Sequence, residues 1–184
     1  WRNNRQCFEK NDFRRNSAEF TREYPVVLST TYSIKGTLSI DHIYDYLIVD
    51  EASQVDLATG VLAFSCARNI VIVGDLKQLP NVLTEDDIRT SDAIWQKHSL
   101  DERYRFSTHS LLSSALEIWQ DAPVTLLREH YRCHPKIINF CNQKFYHGQL
   151  IVMTKDHDEP DVLTMYRTIA GNHARGHLNQ RQID

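Results

Sequence analysis

Two short apolar runs, each followed by acidic residues, constrain the fold of this chain more than any other feature. Residues 46–49 (Tyr-Leu-Ile-Val) and 70–73 (Ile-Val-Ile-Val) are continuously apolar and do not alternate with polar residues. Strands of this kind are typical of parallel sheets that are covered on both faces. Between them, residues 53–66 repeat their apolar side chains at helical spacing, as the crossover helix of a βαβ unit does. The sequence therefore predicts an α/β fold with a mainly parallel sheet.

Further elements are predicted on both sides of this unit. They are a strand at 25–30, a helix at 108–119, a strand at 124–127, a helix from Pro135 onward and a strand at 162–169. Proline is favoured in the first turn of a helix, which is the reason for placing a helix start at Pro135. Residues 1–24 fit a helix only loosely, residues 85–87 are predicted as an acidic loop, and residues 155–160 are predicted as a polar linker.

Composition limits the class of protein. The 184 residues are 41% hydrophobic and 24% charged, which is typical of a soluble globular chain with one domain and the start of another. The net charge is −3, so a nucleic-acid contact would need a local basic patch. The longest mostly apolar run, residues 61–67, is too short to cross a membrane, and the cysteines form no Cys-x-x-Cys pair. We therefore expect a cytoplasmic protein without a membrane contact; the lack of an initiator Met suggests an excised piece.

The ends of the two predicted strands carry the residues on which chemistry is expected. Asp50 and Glu51 follow the first strand, whereas Gly74, Asp75 and Gln78 lie at and beyond the end of the second. Ligands of open α/β sheets collect at the carboxyl ends of strands, so these groups should share one cleft. Carboxylates there can serve a Mg²⁺ shell and a water near a phosphate. A glutamine amide both donates and accepts, which suits it to sense a terminal phosphate.

Four motifs together resemble the Upf-like branch of superfamily 1 helicases, which are RecA-fold ATPases that move along single-stranded DNA or RNA. In the family's order and at its spacing they are 27–31 (Val-Leu-Ser-Thr-Thr), 49–54 (Val-Asp-Glu-Ala-Ser-Gln, the Walker B motif), 73–80 (motif III) and 127–135 (motif IV). The resemblance covers roughly residues 25–150. It implies a RecA-like P-loop NTPase sheet, with a partial first domain at residues 1–122 and the beginning of a second at residues 123–184.

The resemblance also implies roles at the two strand ends, with ATP and Mg²⁺ as cofactors. Asp50 would hold Mg²⁺ through a water, and Glu51 would be the general base for the attacking water. Gln78 would contact the γ-phosphate. Gly74 and Asp75 would line the nucleotide site as parts of motif III.

Outside these strand ends, the resemblance implies roles for two more pairs of residues. Arg132 would be the arginine finger, a group that generally contributes a factor of about 10³ to 10⁵ to the rate. Tyr131 would lie against the nucleotide base. Thr30 and Thr31 would contact the backbone of single-stranded DNA or RNA, since phosphate contacts position a strand without specifying its sequence.

The chain also departs from the family pattern. Asn81 stands where a second proline is usual, and Cys133 stands where a hydrophobic residue is usual. No Gly-x-x-x-x-Gly-Lys-[Ser/Thr] phosphate loop occurs in the sequence; in the family it lies upstream of residue 1, and the last motifs lie downstream of Asp184. We therefore expect this chain alone to hydrolyse ATP poorly, and we expect activity from a longer parent protein. The remainder of that parent is the expected protein partner of this chain.

Other chemistries are weaker alternatives. One alternative is a zinc site with His130, Cys133, His134 and Cys141 as its four ligands. The spacing of these residues fits no common zinc finger. A two-metal nuclease site at Asp50, Glu51 and Asp75 lacks a further acid or lysine at nuclease spacing. For the parent, two alternatives to a helicase stay open. One is a helicase-like NTPase that uses ATP as a conformational switch, and the other is a non-catalytic nucleic-acid-binding scaffold.

Overall fold

The computed structural model of the protein describes residues 6–9 and 11–165, together with the backbone of residues 174–175 and 178–179. The chain divides into two units, Trp1–Pro123 and Val124–Asp184. The elements of unit 1 are α1 (Asp12–Arg15), α2 (Ser17–Glu23), α3 (Ile34–Thr37), β1 (Tyr44–Val49), α4 (Leu57–Phe64), β2 (Ala67–Ile72), α5 (Glu85–His98), a 3-10 helix (Glu102–Tyr104) and α6 (Leu111–Ile118). Those of unit 2 are β3 (Glu129–His130), α7 (Pro135–Phe145), β4 (Ile151–Val152), β5 (Ala174–Arg175) and β6 (Leu178–Asn179).

A parallel pair of strands lies at the centre of unit 1. Strands β1 and β2 pair in parallel, with Val49 opposite Ile72 at their carboxyl ends. Helix α4 connects them, which confirms the predicted strand–helix–strand unit. The helix is shorter than predicted because Asp56 caps it: its carboxylate accepts hydrogen bonds from the Thr59 amide at 2.9 Å and the Thr59 hydroxyl at 2.6 Å. A side-chain acceptor at this position satisfies an amide that has no partner within the helix.

One face of the β1–β2 pair packs on the core. Val49 is 3% exposed and forms a buried cluster with Ala52, Leu111 and Leu112, so the start of α6 closes over the end of β1. The opposite face is not covered in the described part of the chain. Tyr46 and Ile48 are each 67% exposed. The parallel pairing is as predicted, but the expectation of cover on both faces is wrong for these residues.

Helix α5 was not predicted, and the expected acidic loop at 85–87 is wrong. Those three acids form its first turn, after the N-cap residue Thr84. The Thr84 hydroxyl accepts from the Asp87 amide at 3.2 Å, and the Asp87 carboxylate accepts from the Thr84 amide at 3.1 Å. This reciprocal pair is a capping box, and negative charge is favourable at a helix N-terminus. The acids therefore start a helix here.

An arginine joins α5 to the segment that follows it. The Arg105 guanidinium donates to both carboxylate oxygens of Asp92 at 3.0 Å. It also lies 4.8 Å from the ring centroid of Trp95. The Arg105 bonds, with a further one from the Ser107 hydroxyl, hold the pKa of Asp92 at about 2.

Unit 2 contains a second parallel pair, β3 and β4. Helix α7 begins at Pro135, as predicted, and its N-cap residue His134 accepts a hydrogen bond from the Lys136 amide. The buried Asn142 side chain holds the chain after this helix, because it donates to the Leu150 carbonyl at 3.0 Å and accepts from the Leu150 amide at 2.9 Å. Strands β5 and β6 pair in antiparallel fashion.

Several predicted strands are wrong. Residues 25–30, 124–127 and 162–165 are not strands, and residues 166–169 lie outside the described residues. Apolar and β-branched composition favours a strand only where a partner strand and a face to pack on exist. Leu28 is 91% exposed and Leu127 is 77% exposed, so these runs lack such a face. Within the described ranges, no helix is long and apolar enough to cross a membrane.

Candidate functional site

The candidate site lies where β1 and β2 end. The Val73 amide donates to the Val49 carbonyl at 2.8 Å, and the Ala52 amide donates to the Val73 carbonyl at 2.9 Å. These two bonds continue the pairing of the two chain segments beyond the ends of both strands. Asp50 and Glu51 therefore lie at the same sheet edge as the loop that begins at Gly74.

Glu51 has an unusual backbone. Its φ is 51°, in the left-handed region that costs a non-glycine residue about 1–2 kcal/mol. The Asp50 carboxylate accepts a hydrogen bond from the Glu51 amide at 2.9 Å, which supports the turn. Both side chains are exposed, and neither carboxylate forms an ion pair among the described residues. Two acids are thus available to a ligand at the point where the chain leaves the strand.

The loop after β2 is organised by Asp75. Its carboxylate accepts from the Lys77 amide at 2.8 Å and from the Gln78 side-chain amide at 3.3 Å. Its carbonyl accepts from the Gln78 backbone amide at 3.2 Å. Gln78 is exposed, and its side-chain nitrogen is the atom that donates to the Asp75 carboxylate. Asp75 therefore orients Gln78 at the sheet edge.

Gly74 is needed because the loop passes very close to the turn after Glu51. A Cβ at Gly74 would lie 3.1 Å from the backbone nitrogens of Ala52 and Ser53 and 3.0 Å from a methyl carbon of Leu112. Ser53 is 2% exposed, and its hydroxyl has no hydrogen-bond partner among the described residues. The Asn81 amide donates to the Ser53 carbonyl at 3.2 Å. This bond was not predicted from the sequence. The one feature of the sequence that pointed to it is that residue 81 is not a proline and therefore has an amide hydrogen.

Thr30 and Thr31 lie elsewhere on unit 1. The Thr30 hydroxyl accepts from the Ser33 amide at 3.2 Å and so supports the turn that leads into α3. The Thr31 hydroxyl lies 3.5 Å from that of Thr59, in the first turn of α4. No described contact joins either threonine to Asp50, so the structure does not bring these predicted groups together directly.

Tyr131 and Arg132 belong to unit 2. The Tyr131 hydroxyl donates to the Glu129 carboxylate, which raises the pKa of Tyr131. Tyr131 is 65% exposed. Arg132 is exposed and forms no ion pair within the described part of the chain. Both residues lie in the turn of residues 130–133, which is closed by a hydrogen bond from the Cys133 amide to Nε2 of the His130 ring at 2.8 Å.

The structure does not support the alternative metal sites. Among the described residues, one group of possible ligands converges to within 4.8 Å, namely His134, Asp156 and Glu159. Neither the four residues of the zinc alternative nor the three acids of the nuclease alternative converge in this way. Nδ1 of His134 accepts from the Lys136 amide at 3.1 Å, so Nε2 must carry the proton of the neutral ring. That proton faces the two carboxylates, which makes the group a hydrogen-bonded cluster.

Comparison with known proteins identifies two family matches and a set of related sequences. Residues 2–86 and 107–177 each match a family model described as an AAA domain. A protein of Mycoplasma pneumoniae named "Uncharacterized ATP-dependent helicase MG140 homolog" is 29% identical over 168 residues, which are 86% of this chain and 14% of that protein. The chicken "DNA replication ATP-dependent helicase/nuclease DNA2" is 30% identical over 132 residues, 72% of this chain and 12% of that protein.

A mouse protein named "5'-3' DNA helicase ZGRF1" is also similar. It is 30% identical over 129 residues, which are 68% of this chain and 6% of that protein. The chain thus spans between 6% and 14% of the length of these relatives. The two family matches together include both β1–β2 strand ends and the segment with Arg132.

Proposed function

Because the chain belongs to the Upf-like branch of superfamily 1 helicases, whose AAA-type domains have a RecA-like α/β fold, we propose that its β1–β2 sheet edge is an ATP-hydrolysis site. The observation that carries this proposal is the meeting of Glu51 and the Gln78 loop at one edge of a parallel pair. In the protein that contains these residues, hydrolysis would drive movement along single-stranded DNA or RNA. Residues 1–122 would be part of the first RecA-like domain, and residues 123–184 the start of the second.

Glu51 is the general base of this proposal. A carboxylate at the sheet edge can take the proton from a water that attacks the γ-phosphate, a role that contributes about 10²- to 10⁴-fold to a rate. Gln78 orients that water or contacts the γ-phosphate through its side-chain oxygen or amide. Asp75 and Gly74 shape the loop that presents it. The exposed carboxylates and the orientation of Gln78 by Asp75 support these roles.

The donor set at Asp50 fits a magnesium ion. Mg²⁺ usually takes one or two carboxylates with waters and substrate phosphates, and Asp50 keeps one carboxylate oxygen that does not bond to the Glu51 amide. When bound, the ion would neutralise charge on the phosphates. Asp50 would hold it through a water.

The remaining roles rest on the resemblance. Arg132 would stabilise the charge that develops on the γ-phosphate, and its lack of an ion pair among the described residues leaves the guanidinium available. Tyr131 presents an exposed ring to a nucleotide base. Thr30 and Thr31 would contact the nucleic-acid backbone with hydroxyl or amide groups.

The test is ATPase activity of the full-length protein, with and without single-stranded DNA or RNA. We expect strand-stimulated hydrolysis that falls at least about 100-fold in Glu51→Gln, while nucleotide binding is retained. Glu85→Gln is a matched control, because it makes the same change at an exposed glutamate of unit 1. Arg132→Ala should lower kcat more than affinity.

The outcomes separate the alternatives. Hydrolysis unchanged in both Glu51→Gln and Arg132→Ala would refute the site. Hydrolysis without strand separation would identify a conformational switch, and no hydrolysis by the unaltered protein would identify a scaffold. The polymer that stimulates hydrolysis more would identify the track as DNA or RNA.

A further inference from the structure

The loop of residues 74–80 is closed at both ends on the turn that follows Glu51. At its start, the Ala52 amide donates to the Val73 carbonyl at 2.9 Å. At its end, the Asn81 amide donates to the Ser53 carbonyl at 3.2 Å. The two bonds use adjacent residues of the turn. The loop that carries Gln78 is therefore held at both ends by two adjacent residues, Ala52 and Ser53.

Close packing makes these two anchors strong constraints. Ala52 is 0% exposed and Ser53 is 2% exposed, and Gly74 lies against the backbone nitrogens of both. If Asn81 had no amide hydrogen, the Ser53 carbonyl would lose its partner in a buried residue, and such an unpaired group is costly. Closure at the Asn81 end thus depends on that hydrogen bond.

We propose that the Asn81 backbone amide is a positioning group for Gln78, because it fixes the loop against the turn that carries Glu51. Within the loop, Asp75 already orients the Gln78 side chain. The Asn81 bond then fixes that preformed loop relative to the general base. Proline at position 81 would have no amide hydrogen, so this closure requires a residue other than proline, such as the asparagine of this chain. The catalytic part of this inference rests on the proposed function.

The experiment compares Asn81→Pro with Asn81→Ala in the full-length protein. Both variants remove the side chain, but only proline removes the amide hydrogen. The first readout is hydrogen exchange at the Lys77 and Gln78 amides, which bond to Asp75 within the loop. One hydrogen bond of ordinary strength predicts exchange about three- to ten-fold faster in Asn81→Pro, with little change in Asn81→Ala.

The second readout separates positioning from general damage to the fold. In Asn81→Pro, kcat should fall by a factor similar to or larger than the increase in exchange rate, whereas KM for ATP should stay within about two-fold. The reason is that the loop is expected to act on the γ-phosphate during the reaction and not to contribute to the binding of ATP in the ground state. Asn81→Ala should keep the kcat of the unaltered protein. Far-UV circular dichroism of both variants checks that the fold is kept.

A measurement on the unaltered protein covers the case in which Asn81→Pro does not fold. The Asn81 amide should itself exchange slowly, as expected also for the hydrogen-bonded Gln78 amide, and exchange at the rate of an unstructured peptide would overturn the inference. Equal loop exchange in both variants, or faster exchange with unchanged kcat, would overturn it too. Faster loop exchange in a protein that never hydrolyses ATP would uphold the closure and refute the proposed function instead.

Discussion

The contact between α4 and α6 lies beneath the candidate site, and a pair of substitutions tests how tightly it is packed. A Cβ at the buried Gly60 would lie 2.5 Å and 2.9 Å from the two methyl carbons of Leu111 and 3.0 Å from its Cγ. Leu111 is 2% exposed and packs on Val49, so its side chain has little room to move. Gly60→Ala should therefore force either Leu111 or α4 to shift.

The expected magnitude follows from two opposing effects. Alanine is better than glycine within a helix by about 0.8–1 kcal/mol, whereas overpacking a core costs about 1–3 kcal/mol. Gly60→Ala alone should thus be destabilising by roughly 0–2 kcal/mol. Leu111→Ala alone should cost about 2.7–5 kcal/mol. In that second background the clash is gone, so Gly60→Ala should stabilise by about 1 kcal/mol, which gives a coupling free energy of about 1–3 kcal/mol.

The assay is urea unfolding of the 184-residue chain in all four variants. The sequence contains three tryptophans, all within residues 1–123, so their fluorescence reports on unit 1. The free energy of unfolding from that transition gives the coupling directly. Effects that add to within about 0.5 kcal/mol would show that the two side chains do not compete for space, and the packing argument would be refuted.

Two further predictions concern α5. Thr84→Ala removes the hydroxyl of the capping box and should lower the free energy of unfolding by about 0.5–2 kcal/mol in the same urea assay; an unchanged midpoint would contradict the cap. Because Arg105 and Ser107 hold the pKa of Asp92 at about 2, the carboxylate stabilises the folded state above its unfolded pKa of about 3.9 and loses that effect as pH falls toward 2. The melting temperature of Asp92→Asn should therefore fall less between pH 4 and pH 2 than that of the unaltered chain, and parallel curves would count against this ion pair.

The sequence was sufficient to predict the parts of the fold that depend on local pattern. The apolar runs that became β1 and β2, the helical spacing between them and the proline at the start of α7 all follow from chain geometry and burial. The meeting of Asp50 and Gly74 at one edge follows as well, because parallel neighbours end together. These features need no knowledge of distant contacts.

The errors come from effects that a local pattern does not contain. Residues 25–30 and 124–127 have strand composition, but a strand exists only where another strand pairs with it. The charge of residues 85–87 indicates a loop, although Thr84 and Asp87 stand at capping-box spacing. The closure of the Gln78 loop by Asn81 depends on a backbone bond between segments far apart in sequence.

The face of the β1–β2 pair that the described residues leave uncovered has a practical consequence for handling the chain. Tyr46, Ile48 and Val71 present apolar surface to solvent from adjacent strands, and such patches attract other apolar molecules. Dyes that fluoresce on apolar surfaces should therefore bind the native chain and give a high signal before any unfolding. Melting curves that rely on such dyes would understate the transition, so intrinsic fluorescence or circular dichroism is the better probe. The same face would make concentrated solutions prone to self-association, and low protein concentrations should suit this chain.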